Sequence, residues 1–141
     1  MKQELVRDWM TRNVIILSPE TSLAEAHKLM TEKRVRRLPV VDHDRIVGIV
    51  TLGDVRGAEP SQASSLSVWE MNDLLAKLKV AEIMSHDPVV IQQNVSIGEA
   101  ARIMLEKKFS GLPVVDEADH LVGIITESDI FRLIANEWSK D

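Results

Sequence analysis

"LPVVDHDRIVGIVTLGD", Leu38 to Asp54, is written a second time as "LPVVDEADHLVGIITESD", Leu112 to Asp129. Each copy holds two short apolar runs of strand type around a polar turn, and each closes on Thr-x-x-Asp, Thr51/Asp54 and Thr126/Asp129. Thr and Asp are not residues that core packing selects, so the copy preserves more than a hydrophobic pattern. Outward from this stretch the match continues. With Val6 placed on Val80, Met10 falls on Met84, Ser22 on Ser96, Glu25-Ala26 on Glu99-Ala100, and Met30 on Met104. One extra residue near Ala118 shifts the register before the glycine strands align. The chain is a tandem duplication.

Both repeats carry the same order of signals. "VIIL" (Val14 to Leu17) and "VVI" (Val89 to Ile91) are apolar runs of strand type. Ser22 and Ser96 stand at helix N-cap positions, with Glu25 and Glu99 three residues on as capping-box partners. Ala26, Leu29 and Met30, and likewise Ile97, Ala100, Ala101, Met104 and Leu105, recur at helical spacing. Two strands and a second helix, opening near Asp54 and Asp129, complete each copy. The order β-α-β-β-α predicts an α+β fold. The repeats occupy residues 1–57 and 80–141, with a linker over 58–79. The linker begins Pro/Ser-rich and becomes a capped helix from Ser67, with Glu70 at N3 and Met71, Leu74, Leu75 and Leu78 on one face.

Composition narrows the function classes. The chain has 141 residues, 45% of them hydrophobic and few aromatic, so Val, Ile, Leu and Met must fill the core. A net charge of -5 argues against a nucleic-acid partner, which needs a basic face to displace counterions. No cysteine is present, which excludes disulfides, thiolate catalysis and Cys-ligated metals. His27, His43, His86 and His120 share no metal-type spacing, and neither a nucleophile–base pair nor a Walker-type loop is visible. With no apolar run of membrane-spanning length and no signal peptide, no membrane association and a cytoplasmic location are expected.

The Thr/Asp pairs are the leading candidate site. A hydroxyl and a carboxylate at a helix start suit a nucleotide: the carboxylate accepts from a ribose diol, and hydroxyl and N–H groups hold phosphate. The same residues also suit plain N-capping, and the sequence leaves both roles open. Arg34, Arg36 and Arg37 precede the first "PVVD" strand, where an Arg can fork onto phosphate or end a solvated basic helix. The second copy has Ser110-Gly111 in place of Arg36-Arg37, so one half supplies charge and the other room. Gly48 and Gly123 inside strands imply close backbone approach by a helix or a ligand. Trp9, Trp69 and Trp138 stand at element edges and suit core or interface packing.

With "DWMTRNVIIL", "EIMSHDPVVI", both "LPVVD" strands, "VGIVTLGD" and "VGIITESD" in view, the chain resembles a tandem pair of CBS domains, a Bateman module. The linker "LSVWEMNDLLAKLKVAEIM" resembles that of acetoin-utilisation-type CBS proteins. Those usually continue into an ACT domain, and this chain stops at Asp141 without one. The resemblance implies two repeats packed about a pseudo-twofold axis, with two clefts that bind AMP, ADP, ATP or S-adenosylmethionine. It places ribose-binding carboxylates on Asp54 and Asp129, and neighbouring hydroxyls on Thr51 and Thr126. Contacts to the base fall at Asn13, Val14 and Ile15, at Asp87, Pro88 and Val89, and on Val40 and Val114. Phosphate contacts fall on Arg36 and Arg37, from which Ser110 and Gly111 depart. No required cofactor, no metal and no catalytic residue is implied. The expected function is regulatory ligand sensing in a homodimer that signals to a regulated protein. The alternative is a structural dimerisation module without nucleotide.

Overall fold

A computed structural model of the chain describes residues 4–59 and 65–139. The Pro/Ser-rich start of the linker falls largely outside them. The elements run in the order α1 (Val6–Trp9), α2 (Leu23–Lys33), β1 (Arg37–Asp42), β2 (Arg45–Thr51), α3 (Leu52–Ala58) and α4 (Val68–Lys77). After a 3-10 turn at Val80–Glu82 come β3 (Ser85–His86), β4 (Ile91–Gln92), α5 (Ile97–Lys107), β5 (Gly111–Val115), β6 (Leu121–Thr126) and α6 (Glu127–Trp138). Mixed helix and sheet in repeated order confirm the α+β class. Two sheets form, β1-β2-β3 and β4-β5-β6.

The local chemistry explains the elements. Ser22 and Ser96 cap α2 and α5 by accepting the N–H of Glu25 and Glu99 at 3.1 Å each. The reciprocal half of those boxes is not made; Glu99 instead pairs with Arg102. Full boxes form at Thr51/Asp54, Ser67/Glu70 and Thr126/Asp129. α2 and α5 both stop on a residue in the left-handed region, Arg34 (φ 55°) and Lys108 (φ 60°). β1 and β2 are joined by His43 and Asp44, both at positive φ, a turn whose twist suits a two-residue hairpin. The extra residue of the second copy lies in the corresponding turn. There Asp116 Oδ1 accepts the N–H groups of Ala118 and His120, both at 2.9 Å.

The expected first strands are shorter than predicted. Of Val14–Leu17 only Leu17 bridges in parallel to Val40, and of Val89–Ile91 only Ile91 joins the two-residue β4, parallel to β5. The preceding residues leave the ladder because the chain passes there from one compact unit to the other. The first unit is Ile15–Pro88, and the second joins the residues up to Val14 with those from Val89 onward.

These units cut across the repeats. Val80, which aligns with Val6, is buried in the first core with Leu23, Met30, Leu38 and Val50. Val6 and Met10 are buried in the second core with Ala100, Met104, Leu112 and Ile125. Main-chain bonds repeat the exchange: Leu23 N–H to Leu78 O and Val80 N–H to Thr21 O in one unit, Ile97 N–H to Glu4 O and Val6 N–H to Val95 O in the other, at 2.8–2.9 Å. Each repeat lends its leading segment to the other.

The exchange also accounts for the strand glycines. A Cβ on Gly48 would stand 2.8 Å from Ser85 O, and one on Gly123 would stand 2.8 Å from Thr11 O. Close approach is by the exchanged segment, which pairs with β2 as β3 and bridges β6 through Thr11. α4 rests Leu75 and Leu78 on the first core, while Trp69 stays 85% exposed. Trp9 packs on the second core and donates to Glu4 Oε2 at 3.3 Å.

Candidate functional site: the paired threonine–aspartate stations

In the first unit, β1 and β2 pair so that Arg37 lies opposite Thr51, and Leu52 N–H donates to Arg36 O at 2.8 Å. Arg36, Arg37, Thr51 and Asp54 are thereby gathered where β2 turns into α3. Thr51 Oγ1 accepts the Asp54 N–H at 3.1 Å, and Asp54 Oδ2 accepts the Thr51 N–H at 2.9 Å. Asp54 is half-buried. Asp87, exposed and at φ 51°, follows the β3 pairing with Gly48 directly, so Asp87 and Pro88 belong to this unit, as does Ile15.

The second unit repeats the arrangement with different side chains. Gly111 lies opposite Thr126, and Glu127 N–H donates to Ser110 O at 3.1 Å. Asp129 is 1% exposed and is the one buried charged residue among those described. Its Oδ2 accepts from Thr126 N–H at 2.9 Å and Thr126 Oγ1 at 3.1 Å, and its Oδ1 accepts from Arg132 Nη1 at 2.8 Å and Thr11 Oγ1 at 3.4 Å. Asn13, Val14 and Val89 share this unit. Val40 and Val114 are fully buried in their cores, so their side chains are turned to packing.

At Thr51/Asp54 the capping role leaves room for the other role that the sequence left open, whereas at Thr126/Asp129 both carboxylate oxygens already have partners. The capping box uses one Asp54 oxygen and the acceptor side of Thr51, leaving that hydroxyl's hydrogen and Asp54 Oδ1 for other partners. Thr11 and Arg132 join the second station without having been singled out in the sequence. The signal for Arg132 was a mismatch, since Gly57 holds the equivalent place in the first repeat. A groove of about 430 Å³ lies elsewhere on the first unit, between α2 and α4, lined by Leu23, His27, Lys28, Glu59 and Leu75 among others. His27 Nδ1 stands 2.8 Å from Glu59 Oε1 there, and no residue of the Thr/Asp stations lines the groove. Among the described residues no group of three His, Asp or Glu is placed to hold a metal.

The family model for the CBS domain matches twice, over residues 6–61 and 80–136. The chain belongs to the CBS family. It is 34% identical over 131 residues to a CBS domain-containing protein of Dictyostelium discoideum, covering 92% of this chain and 90% of that one. Inosine-5'-monophosphate dehydrogenase of Korarchaeum cryptofilum is 37% identical over 123 residues, but this CBS pair spans only 23% of it, and 62% of chloroplastic CBSX2 of Arabidopsis thaliana. Among solved structures, AcuB from Vibrio cholerae matches with TM-score 0.81 at 31% identity, covering 98% of this chain and 95% of that one. CBSX2 in complex with AMP matches with TM-score 0.79 at 32% identity, over 94% and 97%. A CBS domain pair in complex with 5′-methylthioadenosine and S-adenosyl-L-methionine matches with TM-score 0.77 at 29% identity, over 96% and 99%. Among the described residues no helix is long and apolar enough to cross a membrane.

Proposed function

We propose that this CBS pair is a regulatory module that binds an adenosine-containing ligand, AMP, ADP, ATP or S-adenosylmethionine, and carries no reaction of its own. The observation that carries the proposal is the station at the start of α3, where Asp54 Oδ1, the Thr51 hydroxyl, Arg36 and Arg37 are gathered by β1–β2 pairing. Asp54 would accept from the ribose hydroxyls, and Arg36 and Arg37 would meet phosphate. Asn13, Val14, Ile15, Asp87, Pro88 and Val89 would flank the base. The AMP complex of CBSX2 and the S-adenosylmethionine complex of a second similar CBS pair support this ligand class. Binding would shift the populations of two arrangements of the module, which a regulated protein then reads.

The test is titration calorimetry with AMP on the wild type and on Asp54→Ala. Loss of the heat in the variant is expected, and undiminished affinity would sink the assignment. A companion thermal shift in AMP at a hundred times its Kd should show about 2.7 kcal/mol of added stability.

Homodimerisation is part of the same proposal. α6 exposes Phe131 (64%), Ile134 and Trp138 (74%) at helical spacing, an apolar row that a second copy would cover. Sedimentation of wild type against Phe131→Ser/Trp138→Ser tests it: a monomeric double variant supports this face, and an unchanged dimer moves the interface elsewhere.

A further inference from the structure

We propose that Arg132 is a built-in clasp on Asp129, occupying the second station and making the module bind its ligand first, and more tightly, at Asp54. The inference rests on the ligand class proposed above. A carboxylate offers about four acceptor positions, two on each oxygen. On Asp129 all four are filled from within the unit: two by Thr126, one by Arg132 and one by Thr11. On Asp54 the equivalent box uses Oδ2 alone, and among the described residues no other group is recorded on Oδ1. The cause is a single difference between the repeats. Arg132 reaches back three residues along α6, and the residue three after Asp54 is Gly57, which has no side chain to do so.

A diol arriving at Asp129 must displace the guanidinium from a buried carboxylate, whereas one arriving at Asp54 meets an oxygen that takes no hydrogen bond from any described residue. The Arg132 side chain is 62% exposed, so it can swing into solvent without disturbing the core. A hydrogen bond to a charged group corresponds to a factor of about ten to a hundred in affinity. That factor is the expected gap between the two stations.

Titration of the full chain with AMP, on wild type, Arg132→Ala and Gly57→Arg, tests the clasp. A Cβ at Gly57 meets nothing within 4 Å, and the residue sits in a helix at ordinary φ, so the added arginine has room. Wild type should show one tight site and one about ten- to a hundredfold weaker. Arg132→Ala should bring the weak site close to the tight one, and Gly57→Arg should weaken the tight one by a similar factor. Binding seen only after Arg132→Ala, with none to wild type, would overturn the preference for Asp54. Two equal sites in wild type, or a weak site unmoved by Arg132→Ala, would overturn the clasp and leave ligand binding intact. A second site abolished by Arg132→Ala would make Arg132 a ligand-holding group and overturn the clasp equally. No heat from any of the three proteins would remove adenosine binding itself, and the clasp with it.

Discussion

Gly123→Ala is the sharpest probe of the exchanged segments. The new methyl would lie 2.7 Å from Met10 Sδ and 2.8 Å from Thr11 O. The thioether can rotate away, but the carbonyl cannot, because Ile124 N–H donates to it at 2.9 Å and Thr11 N–H donates back to Ile124 O at 2.8 Å. Relief requires the segment to slide several tenths of an ångström along β6. Overpacking of this kind costs about 1–3 kcal/mol, and loss of the paired bridge adds about 1 kcal/mol per bond. Removing glycine from a strand returns about 0.5–1 kcal/mol. The net expectation is about 2–4.5 kcal/mol, a fall in Tm of roughly 8–18 °C for a chain of this size. Urea unfolding followed by circular dichroism measures it, and hydrogen exchange should quicken at Val6, Met10 and Thr11 before β5. Gly98→Ala is the control: its nearest neighbour would be Ser96 Oγ at 3.9 Å, and helix propensity predicts unchanged or slightly raised stability. A Gly123→Ala protein as stable as that control would refute the close approach, and with it the role assigned to the exchanged arm.

Val6→Ala removes a fully buried side chain and should cost about 1–3 kcal/mol, with exchange quickening in α5 and α6 and not in α2; the opposite pattern would mean that Val6 packs with its own repeat. Lys108→Gly relieves a left-handed residue at the end of α5 and should raise stability by about 0.5–1 kcal/mol in urea, since the left-handed cost exceeds glycine's extra entropy. The His120 main-chain N–H, helped by that of Ala118, holds the Asp116 carboxyl below its ordinary 3.8. Its charge therefore favours the folded state above that pH, and the contribution disappears as pH falls through the lower folded value. Asp116→Asn should be the less stable protein at pH 6, with the gap closing below pH 3.8; a gap independent of pH would exclude the charge as its cause.

Much of this was legible in the sequence because duplication shows each signal twice. Ser22 and Ser96 marked the helix starts, and "LPVVD" with "VGI(V/I)T" marked the paired strands. The Thr-x-x-Asp boxes were visible as caps and the two strands around a polar turn were visible too, but the register that sets Arg37 opposite Thr51, with its shift between Val40 and Val41, was not. The exchange of leading segments was not legible. Val6 and Val80 are equivalent in the alignment, and an alignment of repeats is the same whichever copy receives the arm. The runs at Val14 and Val89 read as full strands for a related reason: their apolar residues satisfy strand chemistry, while the crossing between units, a tertiary event, removes most of them from the ladder. Arg132 was not legible because a repeat is defined by its matches, whereas the role of Arg132 lies in a mismatch with Gly57.

The traded arms bear on how such a chain could arise. A single unduplicated repeat has a docking place for an arm and an arm it does not itself receive, so it completes its core only by meeting another copy of itself. Two such copies swapping arms would form a closed pair whose survival depends on how concentrated they are. Joining them through residues 58–79 holds each arm beside its acceptor at a fixed effective concentration, and folding no longer waits on an encounter. Once joined, the halves are also free to differ, as Arg132 and Gly57 do.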